Sequence, residues 1–170
     1  MKIFNLLMLA LIIALPLTTY SQENVHIYDP AANADMQVKE AVAQASKEGK
    51  HVMLQIGGNW CIWCVRLNAF EHADAKIDSL IKKDFILVHV NYSPENYNLE
   101  LLKKLEFPQR FGFPVLVILD AKGRRIHTQD SGMLEALKND KNIYYDQQKV
   151  YGFLTKWSPS ALKPENYIKK

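Results

Sequence analysis

Two cysteines stand three apart in "GGNWCIWCVRL", Cys61 and Cys64, and the chain has no others. The run His51 to Ile56 reads as a strand. A Gly57-Gly58 turn follows it, and Trp60 to Phe70 has no helix breaker, so the pair falls at the start of a helix. There the first cysteine faces backbone N–H groups that have no partner within the helix, and the positive end of the helix dipole lowers its pKa. Cys61 is therefore expected to be the exposed nucleophile and Cys64 the resolving thiol. Cys61 thiolate would attack a disulfide, and Cys64 would then displace the reduced product by closing the Cys61–Cys64 bond. Other uses of the pair have weaker support. A structural zinc site needs four ligands, and His26, His51, His72, His89 and His127 are scattered singly, so no metal is expected. Covalent haem needs histidine after the second cysteine, where Val65 stands. A passive staple closing so short a loop would remove little unfolded-state entropy.

The elements around the pair follow from spacing and turn residues. Val38, Ala41, Val42 and Ala45 predict a helix over Ala34 to Glu48, stopped at Gly49. Asp74 caps a segment with Ile77, Leu80 and Ile81 on one face, and Phe85 to Val90 reads as a buried strand. Asn96 to Leu105 is helical. Val115 to Leu119 and Arg124 to Thr128 form a hairpin about the turn Asp120 to Gly123, and Val150, Phe153, Leu154 and Trp157 mark a last helix. A strand-helix-strand unit requires a parallel pair with a right-handed crossover, and the hairpin adds antiparallel edge strands. The expectation is an α/β fold with a mixed central sheet and helices on both faces. Gly132 to Tyr145 has weak periodicity and reads as a loop. His89 reads as a satisfied core histidine, and Glu71 and His72 as the solvated end of the active-site helix.

Lys2, the apolar run Leu6 to Leu17 and the small or polar residues up to Ser21 have the form of a secretory signal peptide. Cleavage after Ser21 would leave residues 22–170 as one domain, periplasmic or secreted, with no stable membrane association. Lys2 leaves with the signal, so the net charge falls from +3 to +2, 20 basic residues against 18 acidic. There is no basic stripe interleaved with aromatics, which argues against nucleic acid.

The motif "NWCIWC" after a strand, together with "FGFPVLVILDAKGR", resembles the thioredoxin superfamily over about Val38 to Thr128. Within it the chain is most similar to the exported C-terminal domain of the transmembrane disulfide reductant conductor. The resemblance implies a thioredoxin-like fold and a thiol:disulfide oxidoreductase with Cys61 and Cys64 as the redox disulfide and no cofactor. It also implies a cis Pro114 beside the cysteines, with Phe113 backbone pairing to bound substrate. Trp60 and Trp63 flank the pair as substrate contacts. Two positions depart from the family. Its buried acid six residues before the first cysteine is Gln55 here, and the conductor domain's acid four residues after the second is Asn68. Without negative charge there, Cys61 should be more acidic and the pair less reducing than in that domain, as a thiol titration would show.

The partners implied are protein disulfides or a partner redox protein, met by a monomer. A reducing or interchange role is favoured over net oxidation, because an oxidising compartment already makes disulfides. The rivals are a non-catalytic thioredoxin-like binding module with a passive disulfide and, third, metal delivery through two thiolates.

Overall fold

A computed structural model describes residues 26–137 and 144–168; the expected signal segment, 1–21, lies outside them. Among the described residues nine α-helices and β-strands follow one another: α1 (Ala34–Glu48), β1 (His51–Gly57), α2 (Ile62–Ala73), α3 (Ala75–Asp84), β2 (Phe85–Asn91), α4 (Leu99–Lys104), β3 (Val115–Leu119), β4 (Arg125–Asp130) and α5 (Gln147–Lys156). The sheet order is β2-β1-β3-β4, with β1 parallel to β2 and antiparallel to β3. This is a thioredoxin-like fold in a single domain, as the resemblance implied. One detail differs from expectation. The hairpin contributes only one edge: β3 lies inside the sheet, paired on both sides, and β4 is the edge strand.

Strand alternation divides the core in two. The even positions of β1, Val52, Leu54 and Ile56, pack with Ala41 and Ala45 of α1 and Leu101 and Leu102 of α4. The other face sets Met53 of β1 against Leu67 of α2, Ile77 and Ile81 of α3, and Phe153 and Leu154 of α5. β1 and β3 are buried along their whole length, which is why both read as unbroken apolar runs.

Local chemistry sets the ends of the helices. Asn33 accepts from Met36 N–H at the start of α1, and Gly49 closes it with φ +66°, where a side chain would be strained. Asp74 accepts from Lys76 and Ile77 N–H and so separates α2 from α3. α4 is shorter than Asn96 to Leu105 suggests. Asn96 is held in a bridge with Ser93, and Asn98 adopts a left-handed conformation, so helical hydrogen bonding starts only at Leu99.

The segment after β4 is not a plain loop. Ser131–Leu134 makes a single helical turn, Glu135 bridges to Tyr145, and Ala136 N–H donates to the Tyr144 carbonyl at 3.1 Å. Tyr145 is fully buried in the α2 face of the core.

Candidate active site

Cys61 is the residue that caps α2. Its backbone is extended, and its Sγ accepts from Cys64 N–H at 3.2 Å. It is disulfide-bonded to Cys64, with Cα atoms 5.2 Å apart. The expected exposure is corrected here: only 5% of Cys61 reaches solvent and Cys64 is fully buried, because Tyr28, Ile27, Trp63 and Phe113 pack around the pair.

Gly57 makes this packing possible. A Cβ there would collide with Cys64 Sγ and lie 3.0 Å from the Tyr28 hydroxyl, so the sulfur and the hydroxyl both sit against the bare Cα. Gly58 serves the neighbouring indole, since a Cβ would meet the Trp60 ring. Trp60 donates its indole N–H to the Tyr92 carbonyl at 2.7 Å and remains 57% exposed. The Phe113–Pro114 peptide bond is cis. Pro114 is buried, and Phe113 meets Trp60 edge-on at 5.5 Å and stacks on Tyr92 at 4.7 Å. Trp63 is half-buried, edge-on to both Tyr144 and Tyr145, and Arg66 lies 3.8 Å over the Tyr144 ring. The Tyr145 hydroxyl donates to the Trp63 carbonyl at 3.2 Å, which ties the post-β4 segment to the active-site helix.

Beneath the disulfide lies a buried polar group of residues. Gln55 is fully buried and donates to the Cys64 carbonyl at 3.4 Å. Its register partner on β2 is His89, whose ring meets Tyr28 edge-on at 5.3 Å. Asn68 is half-buried on α2, with its backbone carbonyl taking His72 Nδ1 at 2.7 Å. Glu71, two turns beyond Cys64 on the same helix, is 1% exposed, which overturns its reading as a solvated residue; His72 is the exposed one. Its place is set by helical spacing: Cys64, Leu67 and Glu71 form the buried stripe of α2.

Burial pushes the Glu71 carboxyl up to about 8, so it is neutral at physiological pH. The same cause pulls His89 down to about 4, with the His72 charge adding to it, and raises the Tyr28 hydroxyl despite the Gln55 amide beside it. Tyr28 Oη, Gln55 Oε1, Glu71 Oε2 and His89 Nε2 have no hydrogen-bond partner among the described residues. His89 is therefore not the satisfied core histidine its strand position suggested. A cavity of about 200 Å³ between α2, α3 and the start of β2 is lined by Glu71, His72, Asp78, Ile81, Lys82, Phe85 and Leu87.

A model of thioredoxin-like proteins matches residues 32–121, more than half of the sequence. The chain belongs to the thioredoxin-like family. Over 135 residues this thioredoxin-like chain is 30% identical to the thiol:disulfide interchange protein DsbD of Yersinia pestis, and over 133 residues 29% identical to that of Salmonella typhi. These matches cover 74% and 73% of the chain but only 22% of either relative, so it spans about a fifth of their length. Among solved structures, a disulphide isomerase from Xylella fastidiosa superposes with a TM-score of 0.65 at 30% identity, covering 77% of this chain and 95% of that one. The resemblance to DsbD and membership of the thioredoxin-like family are thereby shown. Among the described residues no helix is long and apolar enough to cross a membrane.

Proposed function

We propose that this chain is an exported thiol:disulfide oxidoreductase that reduces or interchanges protein disulfides through Cys61 and Cys64. The observation that carries the reading is the seat of Cys61: its sulfur caps α2, accepts the Cys64 N–H, and is already bonded to a second sulfur beside Phe113. A thiolate formed there meets the positive end of the helix dipole. Export rests on the apolar run Leu6 to Leu17 and gives the mature chain an oxidising compartment, where an interchange catalyst has substrates. Phe113, joined to Pro114 by a cis bond, borders the disulfide where a partner chain would lie; Trp60 presents an exposed aromatic ring, and Trp63 packs against the pair.

The buried acid completes the proton balance. In the oxidised form Glu71 holds a proton. When a partner thiolate attacks Cys61 Sγ, the Cys61–Cys64 bond breaks, a Cys61–partner disulfide forms, and Cys64 leaves as a thiolate. Transfer of the Glu71 proton to it yields a neutral Cys64 thiol and an ionised Glu71. Resolution runs in reverse: Glu71 takes the Cys64 proton, Cys64 attacks Cys61, and the partner leaves as thiolate. Glu71 lies about 10 Å along α2 from Cys64, and a helical glutamate leans back toward the N-terminus, which shortens the gap. Gln55 and Asn68 tune the site by placing no charge beside the thiols.

The test is capture. Cys64→Ser should accumulate mixed disulfides between Cys61 and partner proteins, visible as adducts that reductant dissolves, and Cys61→Ser should not. An inert Cys64→Ser would support the rival binding module with a passive disulfide.

A further inference from the structure

Beside Trp60 a cleft of about 640 Å³ opens between Pro30, the active-site turn and the segment after β2. Resting on the oxidoreductase reading above, its chemistry specifies which polypeptides that activity would prefer. The walls are aromatic. The Tyr92 and Tyr97 rings stand 4.9 Å apart, tilted by 58°, and Tyr97 is 42% exposed. Trp60, tethered to the Tyr92 carbonyl, offers its ring from the other side. The side chains left to recognise a ligand at this wall are acceptors. Glu95 is exposed and makes no ion pair among the described residues, and its hydrogen bond from Ser93 holds its carboxyl below the usual range, so it is ionised. Asn91, 3% exposed, lines the cleft, with an Oδ1 that is closed off from solvent and has no hydrogen-bond partner among the described residues. The assignment of that oxygen is fixed, because Asn91 Nδ2 donates to the Asn96 carbonyl and to Ser93 Oγ, both at 2.9 Å. An adjoining cleft shares Pro94, Glu95 and Tyr97 and adds Glu100 and Asp35, the latter paired with Lys104 at 2.6 Å, so Glu95 and Glu100 give this corner negative charge on a chain whose net charge is positive.

We propose that this cleft is a subsite for an arginine side chain of the partner polypeptide, close in sequence to the cysteine that Cys61 engages. Three aromatic faces attract a cation, and the exposed Glu95 carboxylate beside them supplies the opposite charge. A planar guanidinium satisfies both: it stacks on a ring and keeps N–H groups for Glu95. Lysine supplies charge without the stacking plane. An acidic side chain would meet Glu95 directly. Trp60 precedes Cys61 in the chain, so a side chain in the cleft belongs to a residue within a few positions of the partner's sulfur.

The experiment uses symmetrical disulfides of short peptides that differ only in one residue near the cysteine: Arg, Lys, Ala or Glu. Rates with the reduced protein are divided by rates with dithiothreitol, which removes the effect of that residue on the peptide sulfur itself. The expected order is Arg, Lys, Ala, Glu, with Arg over Glu by roughly fivefold or more, and the preference should contract in both Glu95→Gln and Tyr97→Ala. Equal normalised rates in the wild-type protein overturn the subsite and leave the oxidoreductase reading standing. A preference undiminished in both variants also overturns it, by placing the selectivity elsewhere. If no peptide reacts, the oxidoreductase reading itself fails and the subsite falls with it.

Discussion

At the residue scale, Gly57 and Glu71 have the sharpest consequences. Gly57 lets β1 approach the buried sulfur so closely that no side chain fits. The atoms in the way are a sulfur held in a disulfide and a hydroxyl on a buried ring, and neither can swing aside. Gly57→Ala should therefore cost about 1–3 kcal/mol of stability in the oxidised protein, measured by urea unfolding, with a smaller cost once the disulfide is reduced and Cys64 can turn. Equal costs in the two redox states would mean that Cys64 is not the obstacle. Glu71 is tested by kinetics. Glu71→Gln keeps the shape and loses the transferable proton, so the attack of a small thiol on the Cys61–Cys64 disulfide should slow about tenfold or more below pH 8 and converge with wild type above it. A constant ratio across that range would assign Glu71 a packing role only.

At the element scale, what the sequence disclosed depended on whether the cause was local. The span of α1, the Asp74 boundary between α2 and α3, and β3 were all legible, because side-chain spacing, a capping carboxylate and a buried apolar run each act within a few residues. The cysteines at the start of α2 were legible for the same reason. Glu71 was not, since a charged residue on a helix is ordinarily solvated, although its spacing from Cys64 and Leu67 carried the signal. Tyr28 gave none: it precedes every periodic element and reaches the site only through tertiary packing, helped by Asn59 Oδ1, which accepts from Ile27 and Tyr28 N–H. The tie from the post-β4 segment to α2 was hidden in the same way. Removing its buried anchor tests it. Tyr145→Ala should cost roughly 3–5 kcal/mol by leaving a void against Phe70 and Trp63, whereas Tyr145→Phe should lose about 1 kcal/mol with the bond to the Trp63 carbonyl. Similar losses in thermal unfolding for the two variants would show that the ring is not what holds the segment.

At the scale of the whole molecule, two titrating groups near the disulfide, buried Glu71 and half-buried His89, shape stability in opposite directions. His89 has its pKa lowered from 6.5 to about 4, so between those values the unfolded chain binds a proton that the native one refuses, and stability rises with pH. Glu71 has its pKa raised from 4.5 to about 8, so between those values the native chain keeps a proton that the unfolded one has released, and stability falls. The two slopes oppose each other from about 4.5 to 6.5, where their sum is near zero. From 6.5 to 8 Glu71 acts alone, and the loss is a little over 1 kcal/mol per pH unit, roughly 2 kcal/mol in all. Urea unfolding of the oxidised protein across this range should show a plateau followed by that decline. In Glu71→Gln the decline should vanish and the His89 rise up to 6.5 should emerge uncancelled. A decline of the same size in the variant would mean that another group titrates there and that Glu71 is ionised in the native protein, which would also remove it as the proton source for Cys64.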